Sequence, residues 1–369
     1  MPLNLVVQTA FLGDLLLSIP LLKKCRLLWP DQALAVVCRQ GLGDFLLKTK
    51  LVDHVFEIKK RDRDSYQKVL QQLKAFEVSQ LIVPHESLRT ALFCRKIKAK
   101  NKIAYAKPWN FLFYDEQVPR DLRLPDAMRQ LSLVGSFDSL LKTQLHNYAE
   151  TAHPFQSDEK HQLSAPPAWA SMDLRAAILK DDQPFADLQE RFHLQDSEGP
   201  AVLLFPGSVW ATKRWTKEGY IQAGQSFTQQ GARVYVMGSV GEEALAEEVA
   251  AAIPGGLSLA GKTSIYESAQ MIAHAQLVIG NDSASTHLAA ACETPLIAVF
   301  GPTILNFGYR PWSAQSYVVE KKDLPCRPCG KHGPQVCPLG THACMKELPA
   351  SEVVQTAQPL FGVKTAMNK

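Results

Sequence analysis

No stretch of the chain reaches the roughly 18 consecutive apolar residues that a membrane-spanning helix needs, and the start, Met1-Pro2-Leu3-Asn4, lacks the basic residues that open a signal peptide. A soluble protein that stays in the cytoplasm is therefore expected. Charge of one sign is also scarce. The 40 Lys and Arg against 36 Asp and Glu leave +4, too little for the basic stripe of a dedicated nucleic-acid binder but enough for a local patch facing an anion. No nucleic-acid partner is expected. Eight cysteines in 369 residues are too few for a disulfide scaffold, and Cys25, Cys38, Cys94 and Cys292 stand alone, which fits a reducing compartment. Aromatic residues make up only 8% within a 46% hydrophobic content, so the core is aliphatic, as in parallel sheets with covering helices. The length implies two domains.

What is present organises itself around residues 277–303. The apolar run Leu277 to Gly280 reads as a buried strand and meets Asn281, Asp282 and Ser283, which are turn and helix-capping types. A short helix at Thr286-His287-Leu288-Ala289-Ala290-Ala291 and a second apolar run, Leu296 to Phe300, complete a βαβ unit. Such a unit puts a helix N-terminus at the carboxyl end of a parallel strand, where free N–H groups and the helix dipole attract a diphosphate. A nucleotide site is the resulting expectation.

The first half shows the same alternation. Leu3 to Val7 is a strand, its turn runs from Thr9 to Gly13, and Asp14 stands where a helix N-cap belongs, as a cap or as a catalytic carboxylate. Gly13 is the only glycine of that turn, so a dinucleotide fingerprint is missing and this half is not expected to hold the nucleotide. Ala33 to Cys38 and Val55 to Ile58 are further strands. Lys59-Lys60-Arg61-Asp62-Arg63 reads either as a solvated loop or as a patch for phosphate or carboxylate groups. Gln80 to Pro84 ends at His85 to Arg89, where ligands of open α/β sheets collect, and Arg89 is a candidate for the same anion. Helical stretches are expected around Met128 to Leu145 and Met172 to Leu188, with a domain boundary after Pro154.

In the second half, Ala201 to Phe205 runs into Pro206-Gly207-Ser208, and Lys213 follows five residues later. A strand, a Pro-Gly-Ser turn and a lysine present backbone donors and a cation to a phosphate. Glu242 and Glu243 follow the strand Arg233 to Gly238, as ribose acceptors or as first-turn helix acids. Gly256 to Thr263 matches the G-x-x-x-x-G-K-T pattern, but Leu257 to Ala260 reads as the strand itself, so the P-loop context fails. Cys326, Cys329, Cys337 and Cys344 fit a zinc site or four reduced thiols, neither carrying chemistry. Ser351 to Phe361 reads as a final helix.

Taken together, Leu12-Gly13-Asp14, the block from Pro206-Gly207-Ser208 to Lys213-Arg214-Trp215, Gly261-Lys262-Thr263, Asn281-Asp282-Ser283 with His287, and Phe300-Gly301-Pro302-Thr303 resemble glycosyltransferase family 9, the lipopolysaccharide heptosyltransferases. The cysteine tail and Pro84 to Ala91 look most like the heptosyltransferase II type within it. Alanine at 284, where the family commonly has glycine, and the extra residues Lys331 to Gln335 depart from that pattern.

The resemblance implies an α/β fold of GT-B type, two facing Rossmann-like domains with parallel sheets. An acceptor domain over 1–170, a nucleotide-sugar domain over 195–345 and a helix in 346–369 crossing back to the first domain are expected. It further implies inverting transfer of heptose from ADP-heptose to the inner core of a lipopolysaccharide precursor at the cytoplasmic face of the inner membrane. Asp14 becomes the general base and Lys213 the cation on the diphosphate. Ser208, Asp282, Ser283, Ala284 and His287 join the ADP-sugar site, with Glu242 or Glu243 near the ribose. Lys60, Arg61, Arg63 and Arg89 face the acceptor's phosphates and carboxylates. A lysine and a helix N-terminus can replace a metal on a leaving diphosphate, so no metal or cofactor is expected to be required; a monomer is also expected. The same fold with another nucleotide sugar or acceptor, or a non-catalytic nucleotide-sugar or zinc-binding module, are the competing readings.

Overall fold

Aliphatic and β-branched runs such as Leu-Asn-Leu-Val-Val near the start and Leu-Val-Ile-Gly-Asn at 277–281 are buried on both faces, the pattern of parallel strands covered by helices on two sides. The computed structural model describes residues 2–194 and 199–361, and they form twelve strands in two six-stranded sheets. In the first sheet are β1 (Pro2–Val7), β2 (Ala33–Arg39), β3 (His54–Ile58), β4 (Glu77–Val83), β5 (Ala99–Tyr105) and β6 (Glu116–Val118). The second holds β7 (Ala201–Phe205), β8 (Arg233–Val236), β9 (Leu257–Ser258), β10 (Leu277–Asn281), β11 (Leu296–Phe300) and β12 (Ser316–Glu320).

All pairings within the sheets are parallel, and the orders are β3-β2-β1-β4-β5-β6 and β12-β11-β10-β7-β8-β9. Each is therefore the doubly wound order, in which the chain reverses direction between the first and fourth strand of the sheet. The crevices open where β1 meets β4 and where β7 meets β10. Ligand chemistry in such folds gathers at the carboxyl ends of those pairs.

The chain divides into one compact unit of residues 1–154 with 167–172, and another of 155–166 with 173–369. Each has its own aliphatic core, built around Leu3, Leu5, Ala35 and Leu81 in the first and around Val202, Ile279, Phe227 and Val353 in the second. The helix Ala350–Phe361 packs on the helix Lys217–Thr228 and on β11 and β12 of the second unit; the rest of the tail expected to return to the first domain, 362–369, lies outside the described residues.

Several local expectations change. Asp14 is not the N-cap: Phe11 takes that place, and Asp14 is the third residue of the helix Leu12–Leu16, its carboxylate turned back to accept the Phe11 N–H at 3.1 Å. The helical stretch expected over 128–145 is split into Asp126–Leu131, a 3₁₀ turn at Ser132–Phe137, and Ser139–Thr151, because Asp138 leaves helical geometry to cap the last of these. The stretch over 172–188 likewise becomes Arg175–Leu179 and Gln183–Arg191. Leu257–Ser258 is an edge strand after the helix Glu243–Ala251, so the G-x-x-x-x-G-K-T stretch has no P-loop geometry; the Lys262 ammonium donates back to the Ser258 carbonyl. Among the described residues no helix is long and apolar enough to cross a membrane.

Phe227 is fully buried between the helix Lys217–Thr228 and the final helix, with the ring of Phe361 5.2 Å away. Phe227→Ala should lower the stability of the second unit by about 3–5 kcal/mol in urea unfolding; an unmoved midpoint would show that this core contact is not made.

Candidate active site

At the second unit's crevice, Asn281 closes β10 and is completely buried. Its Nδ2 donates to the carbonyls of Pro206 and Gly207 at 3.0 and 3.1 Å, and its Oδ1 accepts the Trp215 N–H at 2.8 Å. One amide thus ties the turn after β7 to the segment that carries Lys213. Every donor and acceptor of that side chain is engaged, which is what makes it tolerable at full burial.

Asp282 follows, 5% exposed, and its Oδ2 accepts both the Lys213 ammonium and the Thr303 hydroxyl at 2.6 Å. Lys213 is held within the crevice by this pairing. Ser283 is the N-cap of the helix Ala284–Ala291 and leaves the cap position unused, its hydroxyl going to Ser285 at 2.8 Å; the first N–H groups of that helix face the crevice end of β10. His287 is buried on the same helix. Ser208 is buried in the turn after β7, with its carbonyl taken by the Arg214 guanidinium at 2.9 Å.

The two candidate ribose acids separate clearly. Glu242 packs directly on the backbone of Gly207, where any β-carbon would overlap its carboxylate, and that carboxylate accepts the Ser239 N–H and hydroxyl at 2.8 Å. Glu243 instead turns to the Gly241 N–H at 2.6 Å and lies over Gly261. Only Glu242 borders the turn that leads to Ser208. Gly207 is glycine because of this close approach.

The extra residues 331–335 brace the same loop. The Gln335 side chain accepts the Ala211 N–H and donates to the Val209 carbonyl, Thr212 hydrogen-bonds the Pro334 carbonyl, and His332 stacks on Trp210 with ring centroids 5.8 Å apart. Burial and the nearby Lys213 and Lys331 push His332 below the usual imidazole range. The cysteines are free thiols, and among the described residues no three His, Cys, Asp or Glu side chains are arranged to hold a metal ion. A hollow of about 660 Å³ beyond β11 and β12, lined by Leu305, Glu320, Lys322 and Arg327, involves none of the residues expected from sequence.

In the first unit, Asp14 sits just past β1. A buried polar chain fixes its backbone: the Ser18 hydroxyl donates to the Asp14 carbonyl and to Gln130 Oε1, and Gln130 Nε2 donates to the Asp14 carbonyl and to Asp126. Burial, reinforced by the Asp126 charge, pushes the Asp14 carboxyl up to about 6; the Phe11 N–H and the Arg39 guanidinium pull the other way. Across the crevice, past β4, His85 Nδ1 lies 2.8 Å from the Thr9 and Thr90 hydroxyls. Burial, with Lys60 and Arg39, drives His85 down to about 4, so its ring is neutral at ordinary pH.

Lys60 and Arg89 do converge near Asp14: burial lowers the Lys60 ammonium, Arg39 and Arg89 lower it further, and Asp14 opposes them. Arg39 and Lys60 lie over the Phe11 ring, at 4.1 and 5.9 Å from its centre. Arg61, Arg63 and Arg89 line a cavity of about 390 Å³ together with Tyr66 and Lys96. Arg61 and Arg63 are exposed at the rim of this cavity, and Asp62 caps the helix Arg63–Leu73. Arg39 was not singled out from sequence, and Thr303 and Gln335 were named only within longer segments, with no role of their own. Arg39 ends β2, and a charged residue closing a buried strand was the available sign; Thr303 closes the Phe300-Gly301-Pro302-Thr303 segment of the resemblance, and Gln335 carries no local signal.

The profile of "Glycosyltransferase family 9 (heptosyltransferase)" matches residues 66–338. A lipooligosaccharide heptosyltransferase 2 of Campylobacter jejuni is 30% identical over 190 residues, 48% of this chain, and the match spans 58% of that relative's length. Lipopolysaccharide heptosyltransferase 3 of Escherichia coli is 25% identical over 86% of this chain and 89% of its own. The fold is shared with the structure of E. coli ADP-heptose lps heptosyltransferase II, at a TM-score of 0.74 and 19% identity over 98% of both chains. With a family match over most of its length and two doubly wound units carrying the polar residues at their switch points, the chain belongs to glycosyltransferase family 9, with a fold of the GT-B type.

Proposed function

We propose that the protein transfers heptose from ADP-heptose to the inner core of a lipopolysaccharide precursor, with inversion at the anomeric carbon. The single observation that carries this reading is the complementary equipment of the two crevices. One holds a carboxylate raised to about 6, and the other a half-buried lysine, paired with Asp282, beside an unused helix N-terminus. The names of the C. jejuni and E. coli relatives supply the sugar and the acceptor class.

In this mechanism an acceptor hydroxyl attacks C1 of the heptose from the face opposite the diphosphate. Asp14 takes the hydroxyl proton, the new C1–O bond forms, and the C1–O bond to ADP breaks with its electron pair leaving on the phosphate. Lys213, with Ser208 and the N–H groups of 283–285, meets the charge that grows there. Asp282 and Thr303 set the ammonium's position, His287 backs the helix, and Glu242, in preference to Glu243, accepts from the ribose. Lys60, Arg61, Arg63 and Arg89, joined by Arg39, take the acceptor's phosphates and carboxylates. A preorganised lysine and backbone donors stabilise a leaving diphosphate without a metal, so no divalent ion is required. The enzyme works at the cytoplasmic face of the inner membrane, where such a precursor is presented.

Asp14→Asn should reduce transfer at least about 100-fold while ADP-heptose binding, read by calorimetry, stays near wild type; a variant that still turns over would remove Asp14 as the base. The base is active ionised, so kcat/KM should fall about tenfold per pH unit below the Asp14 value of about 6. A flat profile down to pH 5 would contradict the assignment. Ionising this carboxyl in the fold is unfavourable, so the stability that its neutral form allows is lost as pH rises from the unfolded value of 3.8 through 6. Asp14→Asn should therefore raise the thermal midpoint above pH 7 and change it little at pH 4. Transfer should also survive exhaustive chelation, and activity lost with chelator and regained with one metal would overturn the metal-free reading.

A further inference from the structure

Between Leu88 and Tyr114 the chain carries seven lysines and arginines and no aspartate or glutamate, although all 369 residues together net only +4. Positive charge is therefore concentrated in this segment, and the remainder of the chain is slightly acidic. The same segment holds five exposed large apolar side chains, Leu88, Leu92, Trp109, Phe111 and Leu112.

These residues lie together. On the helix Leu88–Arg95, the spacing of Leu88, Leu92 and Arg95 makes one outward stripe, while Ala91 and Cys94 face the core. Tyr114, two residues past the 3₁₀ turn Asn110–Leu112, lies beside Cys94 of that helix, and Trp109 borders the same small cavity as His85 to Ser87 at the helix start. The turn is firmly anchored: the Asn110 side chain is buried and donates to the Tyr105 carbonyl at 2.7 Å. That anchor turns Phe111 and Leu112 outward, 66% and 62% exposed. The Lys107 ammonium lies 5.6 Å from the centre of the Trp109 ring. Arg89 and Lys96 continue the positive field into the cavity shared with Arg61 and Arg63.

Glu86 pairs with Lys107 at 3.0 Å and Glu77 with Lys100 at 2.7 Å, which leaves Arg89, Arg95 and Lys96 beside the apolar and indole side chains of a fixed turn, and that combination matches the chemistry of an anionic lipid surface. We propose that this face of the first unit docks on an anionic bilayer, with Phe111, Leu112, Leu88 and Leu92 entering the headgroup boundary and the surrounding Lys and Arg meeting lipid phosphates. The proposal takes from the functional reading only the premise that the acceptor is lipid-borne. Docking here would hold the enzyme where that acceptor is, independently of the sugar site.

Flotation with vesicles tests this with neither acceptor nor nucleotide present. The full chain should bind phosphatidylcholine vesicles containing phosphatidylglycerol, bind phosphatidylcholine alone far more weakly, and release with added salt. Phe111→Glu with Leu112→Glu should lower partitioning at least about tenfold, and each cation neutralised by Arg95→Gln or Lys96→Gln should lower it about fivefold. Transfer by Phe111→Glu with Leu112→Glu to a deacylated, water-soluble acceptor should match wild type. Wild-type protein that ignores anionic vesicles yet transfers to the soluble acceptor would overturn the docking surface alone, whereas vesicle binding without any transfer would sink the functional reading and leave the surface standing. Self-association abolished by the same double substitution, without vesicle binding, would assign the face to a second copy and overturn the proposal.

Discussion

The side chain of Asn281 is the contact on which the second unit's crevice depends. It ends β10 at zero exposure, and its two amide atoms hold three separate backbone groups: two carbonyls of the turn after β7 and the N–H of Trp215. The strand order brings β7 and β10 side by side, and Asn281 then fixes the two loops that leave them. Without that amide the buried carbonyls of Pro206 and Gly207 would lack their donor, a loss worth about 1–3 kcal/mol for each unsatisfied group. Lys213 and Asp282 stand on those two loops and pair at 2.6 Å.

The first unit uses the same topology for the opposite electrostatic purpose. Its switch point lies between β1 and β4, and there a buried polar chain through Ser18, Gln130 and Asp126 supports a half-buried carboxylate. Desolvation, not a partner, dominates Asp14, so its affinity for a proton rises towards neutrality. The Phe11 N–H and the Arg39 guanidinium stop it rising further, and on the proposed reading Arg39, Lys60 and Arg89 meet an anionic substrate. On the proposed reading, one unit accepts a proton and the other receives negative charge.

Much of this was legible in the sequence because it is local. The apolar runs fix the strands, and Pro206-Gly207-Ser208 and Asn281-Asp282-Ser283 announce their turns by residue type. What was not legible depends on contacts distant in the chain. Asp14 reads as a cap from its position before an apolar run, but the extended backbone at Phe11 moves the cap three residues back. Arg39 joins the basic patch only through the order of β2 and β1, and Thr303 reaches Asp282 only once β11 lies beside β10. Glu242 and Glu243 are indistinguishable as letters; packing against Gly207 separates them.

The central claim is that the crevice between β7 and β10 is the donor site. Hydrogen exchange read by mass spectrometry with and without ADP-heptose, in the presence of chelator, tests it most directly. The account predicts protection in residues 206–215, 239–243 and 281–287. Protection confined to the first unit, or none at saturating ADP-heptose, would contradict it.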